Sequence, residues 1–315
     1  PISTVLIAIL LGIIMGNAFT PRPGMMIGLD FTQQYILKLG IIFLGIRLSF
    51  ADFIKFGSVA IPLVIFCILG VLILIKLLIK KVPISSKMSY LIAIGTSVCG
   101  ATAIVATAPV INAKKTEIAY AIANITLFGV IAMLVYPYFA ESYFDNNALE
   151  VGLFLGTSIH ETSQVAAAGL IYDQQFNNPE TLDVATVTKL IRNTFLVILI
   201  PLFAFLYNRG EAKEKKYSIL NIFPYFVIGF IGMMIVRNLG DQFFTVENEY
   251  FFLWSQIIEY LKILATVFLT MAMAAVGISI NLGELKSMGY KPFVVGLIAA
   301  VTVGIISLIY IETLK

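Results

Sequence analysis

Long apolar stretches constrain this chain more than any other feature of its sequence. A helix needs about 20 mostly apolar residues to cross the hydrocarbon core of a bilayer, which is about 30 Å thick. Eight stretches meet that requirement without interruption: 2–19, 31–50, 59–79, 118–140, 184–207, 220–236, 261–282 and 292–311. The sequence therefore predicts an all-α, polytopic membrane protein with about eight full transmembrane helices.

Two further apolar segments, 89–113 and 149–172, are interrupted in the middle by glycines and small polar residues. The interruptions lie at 95–102 and 156–164. Backbone that leaves helical form at membrane depth must find partners in the protein or line a cavity. These two breaks are therefore the candidate functional region.

Basic residues indicate the orientation of the segments, because Lys and Arg in short loops favour the cytoplasm. Four hydrophobic segments lie between two basic loops. If both interrupted segments enter and leave on one side, Lys114 and Lys115 also lie inside and the acidic loop 141–150 lies outside. The charges favour this re-entrant arrangement, and broken crossing helices are the alternative. The basic loops carry Lys76, Lys80, Lys81 and Lys87, and Arg209, Lys213, Lys215 and Lys216.

Two internal matches indicate a duplicated fold. Residues 45–53 align with 277–285, and residues 95–98 align with 156–159. In the re-entrant topology both pairs run in opposite directions, as in the inverted repeats of secondary transporters. Small residues also recur simply because they let helices pack closely. We expect inverted repeats within a single transmembrane domain, residues 1–315.

The composition agrees with a membrane location and limits the partners. Hydrophobic residues make up 59% of the chain and charged residues 12%, and the net charge is +3. This excess is too small to predict nucleic-acid binding. The partners we expect are a small anion and the lipid bilayer, and a homodimer stays open.

Four separated motifs resemble a known family. They are LGIIFLGIRLS at 39–49, CGATAI at 99–104, SIHETSQV at 158–165 and VTKLIR at 187–192. Together they resemble the YeiH-type bacterial membrane proteins, which are generally labelled sulfate exporters. The resemblance covers nearly the whole chain, and the residue after the histidine, commonly Asp in that family, is Glu161 here.

This resemblance implies a multi-pass protein of the bacterial inner membrane with a further N-terminal span before Pro1. It also implies kinship with cation/proton antiporters and with bile-acid and auxin carriers. In those carriers a mobile core works against a scaffold.

The two breaks supply candidate ligands for an anion. A half-helix that begins at a break presents free N–H groups and about half a positive charge, and hydroxyl groups add further donors. The alternative is that small residues there only allow tight packing. The predicted substrate-binding residues are Ser97, Cys99, Gly100, Thr102, Ser158, His160, Thr162, Gln164 and Arg192.

Glu161 lies at the centre of the second break, beside the only histidine of the chain, His160. A charge at this depth costs about 2.5–3.5 kcal/mol on insertion scales, so an unpaired carboxyl group there tends to take up a proton. We expect Glu161 and His160 to couple transport to protons. The alternative is a neutral Glu161 that braces the backbone.

The string HETSQ at 160–164 resembles the H-E-x-x-H zinc motif. Gln164 stands in place of the second histidine, and a catalytic zinc normally takes three protein ligands. We therefore expect no metal site, no cofactor and no enzymatic activity.

Three basic residues near helix ends have two interpretations. Lys189 and Arg192 are three apart on one helix face, where they could attract an anion or extend toward the interface. Arg47 is predicted to be an interface anchor or a partner of Asp52.

The sequence thus predicts a secondary active transporter of a small inorganic or organic anion, such as sulfate or a sulfonate. The coupling ion would be a proton or sodium, and the site would lie between the two breaks. A cation/proton antiporter that uses Glu161 is one alternative, and a membrane scaffold or sensor without flux is another.

Overall fold

A computed structural model describes residues 3–19, 22–78, 84–207, 224–281, 283 and 290–314. Within these ranges the regular structure is entirely helical, which confirms the predicted all-α class. The helices are α1 (Thr4–Ala18), α2 (Pro23–Phe31), α3 (Leu37–Leu44), α4 (Phe50–Leu78), α5 (Ser86–Ser97), α6 (Ala101–Thr107), α7 (Lys115–Phe144), α8 (Ala148–Ser158), α9 (Thr162–Phe176), α10 (Pro179–Thr194), α11 (Leu196–Tyr207), α12 (Phe226–Phe243), α13 (Phe251–Ser279) and α14 (Tyr290–Glu312).

Seven helical segments of the described chain are long and apolar enough to cross a membrane. A π-helical turn, Thr32–Ile36, joins α2 to α3, so that they form one span, Pro23–Arg47. Helices α10 and α11 likewise form the span Pro179–Phe203. The first of the eight predicted spans, 2–19, is not among these seven, because its helix α1 has only 15 residues in the described chain.

Some predictions fall wholly or partly outside the described residues. The span predicted at 220–236 is described from Phe226 to Phe243, seven residues further along at its end. Lys80, Lys81 and the basic loop 209–216 lie outside, as does most of the second repeat copy after Asn281. The inverted repeat therefore stays a prediction.

The first interrupted segment is a re-entrant hairpin made of α5 and α6. Its two ends meet, because Lys87 at the start of α5 donates to the carbonyl oxygen of Asn112 after α6, 2.7 Å away. Ser85 also donates to Glu117 at the start of α7. Since α5 has 12 residues, it is about 18 Å long and cannot cross the bilayer alone.

The second interrupted segment, α8 and α9, is a re-entrant hairpin that enters from the other end of α7. The Tyr172 hydroxyl group near the end of α9 contacts Glu141, near the end of α7. Asn178, just after α9, donates to the carbonyl oxygen of Asn146, just before α8, at 2.9 Å. Because α7 is 30 residues long, or about 45 Å, the two hairpin openings lie at opposite ends of the molecule. These contacts confirm the re-entrant interpretation.

The described helices pack as two bundles. Helices α1, α2, α3, α12 and α13 form one bundle, which we call the panel, and the remaining helices form the core bundle around α7 and the hairpins. Within the panel α1 packs tightly along α13, since a Cβ atom at Gly12 would lie 2.5 Å from the carbonyl oxygen of Ala274. Glycine is thus required for this close approach, and it fixes α1 to α13.

Candidate functional site

The tips of the two hairpins meet in the middle of the core bundle. Gly100, which precedes α6, has a φ of +67°, a conformation that L residues rarely adopt. A Cβ atom there would lie 2.5 Å from Cγ of Glu161 on the other tip. The turn and the close approach together require glycine at this position.

One side of the tips faces α10, and the Lys189 side chain of α10 packs against it. The Lys189 side chain is fully buried. Its Nζ donates to the carbonyl oxygens of Val98 and Ile159, each at 2.9 Å, and to that of His160. An ammonium group has three donors and no acceptor, so these three carbonyl oxygens satisfy it completely. Lys189 therefore joins the first tip to the second.

Arg192 makes the same kind of connection one helical turn further along α10. It is also fully buried, and its Nε donates to the carbonyl oxygen of Ser97 at 2.7 Å. The remaining guanidinium nitrogens donate to the carbonyl oxygens of Thr96, Thr157 and Ile159. Together the two cations bond the carbonyl groups that α5 and α8 leave free at their C-termini.

This arrangement follows from helix chemistry. The last four carbonyl groups of a helix have no partner within it, and no water is present in the hydrocarbon core to replace one. Cations near a helix C-terminus also stabilise its negative dipole end. We call this side, made by the carbonyl groups of residues 96–98 and 157–160 with Lys189 and Arg192, the rear face of the tips.

The other side of the tips opens on a cavity of about 640 Å³ between the core bundle and the panel. Ala101 and Glu161 supply the tips' part of its wall, and we call this side the front face. Along α7 the lining runs from Ala119 to Ile131, a length of about 18 Å. The cavity thus extends from the tips toward the Lys115 end of α7.

Glu161 is the ionisable residue of the front face. It is the N-cap residue of α9: its backbone N–H group donates to Gln164 Oε1 at 3.2 Å, and its carboxyl group accepts the backbone N–H group of Ala101 at the start of α6. The Thr126 hydroxyl group of α7 lies 3.4 Å from its Oε1. Lys189 Nζ donates to the carbonyl oxygen of His160, the residue directly before Glu161, so this cation and the carboxyl group lie on opposite faces of the same tip.

The panel contributes a polar pair to the opposite wall. Gln33, in the π-helical turn, donates to the Ser279 hydroxyl group at 2.7 Å and to the carbonyl oxygen of Ala275 at 3.2 Å. Asn281 also lines the cavity. Single π-helical turns often occur at functional sites, and this one places Gln33 in the cavity wall.

The structure brings most of the predicted site residues to the tips, but not all to the same face. Ser97, Ser158 and His160 are buried, and Ser97 Oγ, Ser158 Oγ and His160 Nδ1 have no hydrogen-bond partner within the described protein. Cys99 lies at the first tip as a free, buried thiol. Thr102, in contrast, is exposed and does not line the cavity.

The remaining predicted residues have protein partners. Thr162 Oγ1 accepts a hydrogen bond from Asn193 at 2.9 Å. The Gln164 side chain accepts one from the Glu161 backbone N–H group at 3.2 Å. Arg192, predicted to contact the substrate, has its donors directed at four carbonyl groups of the rear face.

Sequence reasoning missed the tip-bridging position of Lys189 and the panel residues Gln33 and Ser279. The signal for Lys189 was present, since two interrupted helices leave several carbonyl groups that need donors and few donors lie in the apolar spans. Gln33 gave no local signal, because its partner Ser279 is 246 residues away in the chain.

Arg47 was assigned the wrong partner. Its Nε lies 2.7 Å from Oδ1 of Asp183, and Asp173 and the carbonyl oxygen of Pro179 complete its contacts. Asp52 instead accepts a hydrogen bond from Ser49 at 2.6 Å. Arg47 therefore joins the panel to the core bundle at the end opposite the cavity, and we call Arg47 with Asp173 and Asp183 the latch.

The fold and this site define a polytopic, all-α membrane protein with two facing re-entrant hairpins. Comparison with known proteins places it more narrowly. A family model described as "Conserved hypothetical protein 698" matches residues 1–296. The chain belongs to this family, whose members carry the name UPF0324 membrane protein, and this confirms the resemblance to the YeiH-type proteins.

Similar proteins occur in distant bacteria. A UPF0324 membrane protein of Streptococcus agalactiae serotype V is 34% identical over 303 residues, which cover 95% of this chain and 86% of the relative. One from Fusobacterium nucleatum subsp. nucleatum is 34% identical over 315 residues, which cover 98% and 89%. One from Yersinia pestis is 32% identical over 303 residues, which cover 93% and 79%. No solved structure matches the chain significantly.

Proposed function

We propose that this protein is a secondary active transporter of a small anion in the bacterial inner membrane. Two buried positive charges on the rear face of the tips, across the tips from the cavity, carry the proposal. Lys189 and Arg192 lie fully buried at the tips, and Glu161 is the only carboxylate among the described residues that line the cavity. Buried charges are paired as a rule, so an anion in the cavity would balance the excess.

Glu161 is the natural coupling residue for such a transporter. It lines the cavity, so a proton in the cavity can reach it. Its carboxylate already accepts the N–H group of Ala101, and a second negative charge nearby would be repelled. Protonation of Glu161 removes this repulsion, so the anion and the proton favour each other's binding. Coupling to sodium is the alternative, and flux under a sodium gradient alone distinguishes it from proton coupling.

The direction of access follows from the charges. Lys87, Lys114 and Lys115 lie at the end of α7 toward which the cavity extends. If this basic end is cytoplasmic, as the positive-inside rule favours, the structure is open to the cytoplasm and closed on the outside by the latch. In that state the site exchanges its anion with the cytoplasm.

A cation/proton antiporter is the second candidate, and one observation favours it, because Glu161 is the only ionisable side chain among the described residues that line the cavity. The two buried cations oppose it, since they repel a cation from the same site. A scaffold or sensor without flux is the third outcome to be tested.

Flux into liposomes that contain the purified protein tests the proposal. We expect at least one of sulfate, sulfite, methanesulfonate and hexanesulfonate to move when a proton gradient is imposed, with slower movement under a sodium gradient alone. Ion movement that needs sodium and pH but no anion would establish the antiporter instead. Absence of any flux, with either gradient, would refute transport.

Glu161→Gln sharpens this test. We expect anion binding to remain measurable in the variant, while movement no longer responds to the proton gradient, because the amide cannot exchange a proton. Glu180→Gln is the matched control, since Glu180 lies exposed at the start of α10. Unchanged proton coupling in Glu161→Gln would remove Glu161 from its role.

A further inference from the structure

The cavity identifies the class of anion more closely, on the assumption that the proposed function holds. We infer that the substrate is an organic anion with an apolar body, such as an alkyl or aryl sulfonate, and not a bare inorganic oxyanion. The inference rests on the size and the lining of the cavity.

The cavity is much larger than an inorganic oxyanion requires. At about 30 Å³ for each water molecule in the liquid, a five-atom oxyanion fills roughly the space of three waters, or about 90 Å³. The cavity measures about 640 Å³, and cavities that hold organic ligands range from about 300 to 1,000 Å³. Most of this space would remain without contact to sulfate.

The lining is also mainly apolar. Of the residues that line the cavity, Gln33, Thr126, Glu161, Ser279 and Asn281 are polar, and the others are Ala, Val, Ile or Leu. A fully hydrated ion would lose water along these walls without gaining hydrogen bonds in return. An apolar body would instead gain free energy from burial there.

The polar groups are arranged as two pairs on opposite walls. Thr126 and Glu161 form one pair on the core bundle, and Gln33 and Ser279 form the other on the panel. Apolar side chains lie on both sides of Thr126 along α7, from Ile122 to Val130. A single charged head group can therefore lie at the tips while its apolar body extends along α7.

Binding of a homologous series tests this inference. The series is inorganic sulfate, methanesulfonate, butanesulfonate and hexanesulfonate, measured by titration calorimetry on the detergent-purified protein. Burial of a methylene group is worth about 0.8 kcal/mol, so we expect the dissociation constant to fall about two- to fourfold for each methylene added. Hexyltrimethylammonium has the same chain with the opposite charge, and we expect it not to bind.

A pair of variants locates the effect. Ala123→Phe fills the cavity, and we expect it to abolish the gain between methanesulfonate and hexanesulfonate while methanesulfonate still binds. Val105→Phe is the control, because Val105 lies on α6 with 57% of its surface exposed and does not line the cavity. We expect this control to keep the full chain-length dependence.

Three results would overturn the inference. Hexanesulfonate could bind no tighter than methanesulfonate, sulfate could bind at least as tightly as hexanesulfonate, or hexyltrimethylammonium could bind equally well. The first two leave the anion transporter intact, since flux of sulfate or methanesulfonate in liposomes would still show it. Only a protein that neither binds nor moves any anion would refute the proposed function as well.

Discussion

The rear and front faces of the hairpin tips differ in the groups that contact their helix ends. On the rear face the carbonyl groups at the ends of α5 and α8 are bonded by Lys189 and Arg192, both fully buried. On the front face Glu161, at the start of α9, lies in the wall of a cavity. Each break thus separates a C-terminal end that the protein itself neutralises from an N-terminal end that a ligand can approach.

A broken helix in the membrane can thus serve two roles in this protein. Its rear face stabilises the fold, and its front face is open to a ligand. Substitutions on the rear face are expected to act on folding, and substitutions on the front face on binding and coupling. Variants of the two faces should therefore separate effects on stability from effects on binding and coupling.

The largest effect is expected for Lys189→Met on the rear face. The variant leaves three buried carbonyl groups without a donor, and each unsatisfied group costs about 1–3 kcal/mol. We expect a loss of more than about 3 kcal/mol of stability, seen as a large fall in the thermal unfolding temperature of the purified protein.

Lys38→Met is the matched control for this variant. Lys38 is an exposed basic residue on α3, and its loss leaves no buried carbonyl group without a partner. We expect the control to unfold at the parent temperature. Equal unfolding temperatures for Lys189→Met and the parent would contradict the structural role of the rear face.

Gly100→Ala comes next, because it acts at the junction of the two faces. A residue other than glycine held at this φ of +67° costs about 1–3 kcal/mol, and the new Cβ atom would also displace Glu161. We expect thermal unfolding at a lower temperature and weaker anion binding in the same variant. Gly232→Ala on α12 has open space around its Cβ position, so it should keep both properties.

The sequence predicts the class of fold because apolar length is a local property. The stretch at 118–140 lies within α7, most of the stretch at 261–282 lies within α13, and the breaks at 95–102 and 156–164 fall at the two tips. The re-entrant topology could also be predicted. Lys114 and Lys115 lie on the same side of the membrane as Lys87 only if the first interrupted segment, 89–113, enters and leaves the membrane on that side. Charge and hydropathy suffice for all of this.

The division of the site into two faces was not accessible from the sequence. In the sequence Lys189 lies near the start of the apolar stretch 184–207, where extension of its side chain toward the membrane interface explains the residue equally well. Its actual environment depends on carbonyl groups 29 to 91 residues away in the chain. Likewise, Arg47 could not be matched with Asp183 rather than Asp52 without knowing that the turn after α3 lies beside the first turns of α10.

The smallest effect is expected for Arg47→Gln in the latch, which joins the panel to the core bundle at the end opposite the cavity. The side chains of Arg47 and Asp183 are only 12% and 16% exposed, so their pair is worth more than a surface ion pair, about 1–2 kcal/mol. The exposed pair of Lys55 and Glu180, at 64% and 51%, is the control, and Lys55→Gln should change stability by less than about 0.5 kcal/mol. A double-mutant cycle of Arg47→Gln with Asp183→Asn measures the coupling, and zero coupling would show that the latch does not act.

Thiol accessibility tests the central claim, the difference between the two faces, most directly. In a background with Cys67 and Cys99 replaced by Ala, Thr126→Cys places a thiol on the front face, and Thr188→Cys places one on fully buried α10 surface beside the rear face. A membrane-impermeant maleimide is applied to vesicles of either orientation. We predict that Thr126→Cys reacts from the side of Lys114 and Lys115 only, that hexanesulfonate slows this reaction, and that Thr188→Cys reacts from neither side. Equal labelling of both positions, or labelling of Thr126→Cys that no anion slows, would contradict the account.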